Sequence, residues 1–213
     1  AHLRIGNHSL IEDIQLHVSY GDRVAISGAN GSGKSSLIKA ILGIKHPSTP
    51  VTFESSQILI APDMNVVYLD QNYELVDRQK TVLENMQTAN PRLNYQVLRQ
   101  QLGNFLFSND EVHKSASVLS GGELARLALA IVGISETDLL VLDEPTNNLD
   151  IETVEQIVEA LDDYQGALLA ISHDLGFLSR INIAKALKLK DKVLQSTLHL
   201  PNATQEYYRE LLE

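Results

Sequence analysis

Gly28-Ala29-Asn30-Gly31-Ser32-Gly33-Lys34-Ser35-Ser36 carries four features that suit it to one kind of ligand: three glycines, one lysine, small hydroxyl residues and a following apolar pattern. Glycine lets the backbone N–H groups turn toward a common point, and a helix starting there adds the positive end of its dipole. The pattern G-x-x-x-x-G-K-[ST] is complete. The chemistry is the holding of a phosphoryl chain, with Lys34 reaching the β- and γ-phosphates and the Ser35 hydroxyl ligating Mg²⁺. The plain alternative is a chance glycine turn. A short strand over Arg23–Ser27 before the loop and a helix from Gly33 to about Leu42 after it argue against chance. A dinucleotide site fits less well, because the glycine order is G-x-x-G-x-G and Lys34 would have no task.

Leu139-Leu140-Val141-Leu142-Asp143-Glu144 offers the other half of that chemistry. Asp143 falls at the tip of a buried strand, where a carboxylate holds Mg²⁺ through water. Glu144 follows at once and is the natural general base for a hydrolytic water. Gln71, after the strand 66–69, is a neutral ligand for Mg²⁺ or for the attacking water, although taken alone it reads as an ordinary surface glutamine. His173, after Ala167–Ile171, could donate to a γ-phosphate, although a lone histidine is more often structural. A second glycine-bearing loop, Leu119-Ser120-Gly121-Gly122-Glu123, also stands before a helix. One nucleotide needs only one such loop.

These residues must be placed by strands that end in loops. The apolar runs LLVL (139–142) and ALLAI (167–171) read as strands buried on both faces. Helical spacing predicts Leu37, Ile38, Ile41 and Leu42 on one helix face, Leu124, Leu127, Ala128 and Ile131 on another, and Val154, Ile157, Val158 and Leu161 on a third. Residues 81–107 read as helical, with Leu98, Leu102 and Phe105 in phase and Pro91 marking a break. Short strands are expected at 3–5 and 13–18 around a turn at Gly6-Asn7-His8, and at 57–60. The Pro, Ser and Thr of 45–56 suggest a loop. Strands alternating with helices imply a parallel sheet with ligands beyond its carboxyl ends.

Composition narrows the setting. Among 213 residues there is no cysteine, which excludes disulfides and thiolate metal sites. With 17 basic and 27 acidic residues the formal charge is −10, so a broad basic face for nucleic acid is not expected. Arg92, Arg99, Lys114 and Arg126 are candidates only for a small RNA-binding patch, against the simpler reading of solvated charges. No stretch is apolar enough to span a membrane, and AHLRIGN shows no secretory leader pattern. A cytoplasmic setting fits.

In order along the chain stand the phosphate loop, Gln71, LSGGE, LLVLDE, NNLD and His173. Together they resemble the nucleotide-binding domain of ATP-binding cassette (ABC) proteins over nearly the whole length. The resemblance implies an α/β P-loop NTPase fold with a mainly parallel core sheet, a small antiparallel β subdomain and a helical signature subdomain. It implies one cassette over 1–213, the helical subdomain inserted at about 81–133. By the same resemblance Gly28–Ser36 is the Walker A loop, Gln71 the Q-loop glutamine and Leu119–Glu123 the signature loop. Asp143 and Glu144 are the Walker B pair, Asn148-Leu149-Asp150 the D-loop, and His173 the switch histidine. The family implies ATP and Mg²⁺ as ligands. It also implies a head-to-tail pair of cassettes, in which Ser120, Gly121, Gly122 and Glu123 face an ATP held by the partner. The two glycine loops then belong to two different sites.

EPTNNLDIETVE, TVLENMQTANP and NFLFSNDEVHKSASVLSGGELARLALA are similar to the ABC-F subfamily, especially its C-terminal cassette. That resemblance implies an ATPase acting on the ribosome, as a translation factor or in antibiotic resistance by ribosome protection. Ribosome contact would run through regions outside this chain, which is expected to be a fragment of a longer two-cassette protein. The alternatives are the ATPase subunit of an ABC membrane transporter and a non-hydrolytic clamp, the latter disfavoured by the lack of sustained heptads. One departure is the absence of an aromatic residue near Ile5, where cassettes usually stack adenine. Replacing Lys34 by Ala should abolish ATP binding, because the phosphate charge is left uncompensated; isothermal titration with ATP checks this, and an unchanged affinity would refute the phosphate-loop assignment.

Overall fold

A computed structural model describes residues 2–5, 8–11, 14–43, 51–54, 61 and 63–212. In chain order the first elements are β1 (His2–Ile5), β2 (His8–Ile11), β3 (Arg23–Gly28), α1 (Lys34–Ile41) and β4 (Val51–Glu54). Then follow β5 (Val66–Asp70), α2 (Val82–Ala89), α3 (Tyr95–Asn104), two short 3₁₀ turns, α4 (Gly121–Ile134), β6 (Leu139–Asp143) and α5 (Ile151–Asp162). The last are β7 (Ala167–Ile171), α6 (Leu175–Leu178), β8 (Lys185–Lys190), β9 (Val193–Ser196) and α7 (Thr204–Leu212). They divide into two compact units, Ala1–Met64 with Ala167–Glu213, and Asn65–Gly166.

In the first unit β3 lies between β7 and β8 and runs parallel to both, while β9 pairs antiparallel with β8. A central strand flanked on both sides must be apolar on both faces, and Val24, Ala25 and Ile26 are fully buried. The parallel set therefore delivers Ser27 and Gly28 to the carboxyl edge of the sheet. A separate antiparallel sheet has the order β2-β1-β4.

The second unit pairs β5 with β6 in parallel, from Val66 opposite Leu139 to Asp70 opposite Asp143. The two aspartates end side by side. Helix α4 buries Leu124, Leu127, Ala128 and Ile131, the stripe its spacing predicts. The expected helical stretch 81–107 is two helices, each opened by a side-chain cap, Thr81 for α2 and Asn94 for α3. Pro91 lies in the break between them. Leu98 and Leu102 are buried, whereas Phe105 is the C-cap of α3 and only half-buried. In α5 Ile157, Val158 and Leu161 are buried, but Thr153 takes the buried place expected of Val154.

Two readings need correction. The strand expected at 13–18 is not there over 14–18; the partner of β1 is His8–Ile11. Alternation over 14–18 reports a chain buried on one side at Ile14, and alternation does not provide a ladder partner. The loop expected over 45–56 contains β4, because Val51-Thr52-Phe53-Glu54 finds a partner in β1. The strand expected at 57–60, and Gly6 and Asn7 of the expected turn, lie outside the described residues, while His8 opens β2.

No periodicity announces β8, β9 or α7, yet β8 and α7 brace the end of β3 and the glycine loop that follows it. Tyr207 of α7 is completely buried and donates its hydroxyl to Ser27 Oγ at 3.1 Å. Ser27 Oγ passes the bond on to the Leu187 carbonyl of β8 at 3.2 Å. Lys188 Nζ bonds the carbonyl of Glu210, in the last turn of α7, at 2.6 Å. Tyr207→Phe keeps the ring and removes one buried hydrogen bond while Ser27 retains Leu187. Its expected cost is about 1 kcal/mol, read as a lower denaturant midpoint at unchanged slope.

Candidate functional site

The loop between β3 and α1 is shaped by backbone that only glycine accepts easily. Gly28 has φ +150°, and a Cβ there would lie 2.6 Å from the Leu189 carbonyl oxygen. The turn therefore passes against β8 with no room for a side chain. Gly33, with φ +101°, is the N-cap of α1 and offers its first turn no side-chain acceptor. The N-terminal amides of a helix left this way suit an anion. Lys34 is only 7% exposed, and its ammonium donates to the carbonyls of Gly28 at 2.9 Å and Ala29 at 3.0 Å. Ser32 Oγ is shielded from solvent and has no hydrogen-bond partner among the described residues. A phosphate group fits this donor set, since it accepts from ammonium, amide and hydroxyl together. Ser35 and Ser36, in the first turn of α1, are half-buried.

A cleft of about 490 Å³ opens beside the loop, lined by Ser27, Gly28, Ala29 and Ser32 and by His173 from beyond β7. The first unit thus brings His173 to the phosphate loop. Its loop is pinned on both sides: the Asp174 amide donates to buried Ser172 Oγ at 3.0 Å, and the Asp174 carboxylate caps Phe177 N at 3.0 Å. His173 itself is exposed.

In the second unit Gln71, Asp143 and Glu144 gather where β5 and β6 end. Asp143 is 7% exposed and accepts a short hydrogen bond from the Tyr68 hydroxyl. Burial first, and then that bond to Asp143, pushes the Tyr68 hydroxyl far above the usual phenol range, so it remains a donor. Glu144 is half-buried with φ +52°, a left-handed conformation unusual for glutamate. Gln71 is exposed at the head of a turn closed by Tyr73 N to the Asp70 carbonyl at 3.1 Å. Burial, aided by Asp70, raises the Tyr73 hydroxyl to about 12. Neither tyrosine was singled out by the sequence reading. Their only signal was position, on either side of Gln71 in YLDQNY.

Ser120 to Glu123 occupy the start of α4 as a reciprocal cap. Glu123 accepts from Ser120 N at 2.8 Å, and Glu123 N donates to Ser120 Oγ at 3.3 Å. Gly121 is exposed. Gly122 faces α5: a Cβ there would meet Thr153 Oγ1 at 3.0 Å and Asp150 Oδ2 at 3.6 Å. Asp150 in turn caps Thr153 N at 2.8 Å. The glycine loop and the NNLD segment are thus packed on each other, a contact the sequence reading did not foresee. Arg126 stacks over Phe107 with 5.8 Å to the ring centre and acts electrostatically on Glu123 and Asp150. Of the other basic candidates, Lys114 pairs with Glu111 at 3.0 Å, Arg99 lies over the Tyr95 ring, and Arg92 is exposed.

Comparison with known proteins shows the family of the chain. A family model described as ABC transporter matches residues 11–147. ATP-binding protein Uup of Haemophilus influenzae is 38% identical over 178 residues, covering 82% of this chain and 27% of that one. ATP-binding protein Uup of Escherichia coli is 36% identical over 179 residues, with the same coverages of 82% and 27%. ABC transporter F family member 5 of Arabidopsis thaliana is 37% identical over 187 residues, covering 87% of this chain and 26% of its own. The chain therefore spans less than a third of the length of these curated relatives.

The caps of the second unit make it sensitive to acid. Backbone amides and hydroxyls at the helix starts hold the carboxyls of Glu84, Glu123 and Asp150 below their usual range, and Ser108 with Lys114 lowers Glu111 to about 2. Each is a stronger acid folded than unfolded. Each therefore stabilises above the unperturbed value, 4.5 for glutamate, and loses that contribution as pH falls through the folded value. Glu123→Gln should melt below the wild type at neutral pH, with the gap closing as pH drops below about 4.5. Thermal melts across that range check it; a gap independent of pH would contradict an ionised cap at the start of α4.

Proposed function

Because this chain belongs to the ABC family, and within it to the ABC-F group, we propose that it binds and hydrolyses ATP as one cassette of a longer two-cassette protein acting on the ribosome. The observation that carries the ATPase reading is the buried Lys34 ammonium, drawn onto the carbonyls of a glycine loop at the start of a helix without a side-chain cap. Phosphate oxygens replace those carbonyls when ATP binds. Gly28 to Ser36 then hold the phosphate chain with their amides and hydroxyls, and Lys34 bridges the β- and γ-phosphates.

The nearly buried carboxylate of Asp143 has the chemistry for Mg²⁺, which is ordinarily bound through one or two carboxylates together with substrate phosphates. Ser35, Gln71 and Asp143 are its proposed ligands, and the ion when bound neutralises charge on the β- and γ-phosphates. Glu144 orients the attacking water and accepts its proton. His173 donates to the γ-phosphate. Ser120, Gly121, Gly122 and Glu123 meet the ATP of a second cassette in a head-to-tail pair, so hydrolysis requires that partner. We take 1–213 as a single cassette with its helical subdomain over about 81–133.

The EPTNNLD segment, in the form similar to the F group, supports this setting over a transporter subunit. No helix among the described residues is long and apolar enough to cross a membrane. Ribosome binding, as a translation factor or in resistance to antibiotics, places the protein in the cytoplasm. In the full-length protein, Glu144→Gln should bind ATP within a few-fold of wild type and hydrolyse it at least a hundredfold more slowly. With ATP it should co-sediment with ribosomes. Wild-type turnover would refute Glu144 as base, and ATP-independent failure to pellet with ribosomes would remove the ribosomal reading.

A further inference from the structure

The segments bearing Gln71 and Glu144 each contain a residue in the left-handed region, and one buried hydrogen bond joins them. Tyr73 has φ +53° and Glu144 has φ +52°. The Tyr73 ring is 3% exposed, and its hydroxyl donates to the carbonyl of Pro145 at 3.1 Å. Pro145 directly follows Glu144 and is itself buried. A side chain in this backbone region persists only when its surroundings hold it there.

The Tyr73 side is firmly held. Its amide donates to the Asp70 carbonyl at 3.1 Å, its carbonyl accepts from Val76 N at 2.9 Å, and Glu74 N caps onto Asp70 Oδ1 at 3.0 Å. On the Glu144 side the turn is closed by a longer backbone bond, from Asn147 N to the Glu144 carbonyl at 3.3 Å. Tyr68 fixes the strand end just before, through Asp143. The hydroxyl of Tyr73 fixes the chain just after. Glu144 is thus bracketed by two tyrosines from one neighbouring segment.

We propose that Tyr73 is a positioning residue for Glu144: its hydrogen bond to the Pro145 carbonyl holds the left-handed turn that aims the carboxylate, and ties that turn to the one carrying Gln71. The proposal rests on the reading of Glu144 as the hydrolytic base. The Tyr73 ring is buried and its hydroxyl is directed to the Pro145 carbonyl. It acts on the backbone, so it should affect turnover and leave nucleotide binding alone.

Tyr73→Phe retains the packed ring and deletes the donor. Two measurements test it, one needing no hydrolysis. By hydrogen exchange, amides in 144–149 should exchange about tenfold faster, while those of α4 keep their protection. In the full-length protein kcat should fall about tenfold with KM and ATP affinity within twofold of wild type. In the Glu144→Gln background the same change should cause no further loss, since residues acting through one group are not additive. Unchanged protection in 144–149, or acceleration spread equally over α4, overturns the proposal. An additive double variant does so as well. If Glu144→Gln itself hydrolyses normally, the base assignment and this proposal fall together. If Glu144→Gln is slow while Tyr73→Phe has wild-type turnover and protection, the role of Tyr73 alone is refuted.

Discussion

A buried ammonium is expensive unless oxygen atoms surround it. Lys34 places one at the mouth of β3, where the chain must turn sharply enough to present carbonyls inward. This requirement explains much of the first unit. Gly28 passes so close to Leu189 that no side chain fits, and β8 must therefore lie beside β3. Tyr207 secures Ser27, the last residue before the turn. A sheet edge, a hairpin and the final helix thus serve to hold one loop in a shape that suits phosphate better than its own carbonyls do.

The second unit solves a different problem, that of exposing acids and amides at element ends without losing their positions. It does so with local caps. Thr81, Asn94, Ser120 and Asp150 each accept from a backbone amide at a helix start. The carboxyls of Glu84, Glu111, Glu123 and Asp150 at such caps are consequently stronger acids, which links helix starts to pH. The Ser120–Glu123 loop and the NNLD segment share this device and an approach of Gly122 to Thr153 and Asp150. A side chain at Gly122 would press on Thr153 Oγ1, so the close approach of α5 to the start of α4 relies on glycine there.

The ends of β5 and β6 combine both strategies. Register sets Asp70 beside Asp143, and the hydroxyls of Tyr68 in β5 and of Tyr73 in the turn after it bond the residues on either side of Glu144. Left-handed backbone at Tyr73 and Glu144 is strain of the kind found where geometry is needed for chemistry. One buried and one part-buried hydrogen bond are a modest means of keeping it.

Much was legible from residue order alone. The glycine loop between β3 and α1, the apolar strands ending at Asp143 and Ile171, the stripe of α4 and the break at Pro91 all follow from short-range rules, because glycine freedom, helical period and capping act within a few residues. The strand His8–Ile11 and the strand hidden in a Pro, Ser and Thr-rich stretch did not, since a strand exists only with its ladder partner. The same limit applied to the site. Candidate acids and the lysine could be named from type and spacing. That Tyr68 and Tyr73 hold the chain around Glu144, that Thr153 packs on Gly122, and that Tyr207 braces Ser27 across 180 positions depended on side chains distant in sequence meeting in space. Only packing brings them within hydrogen-bonding reach.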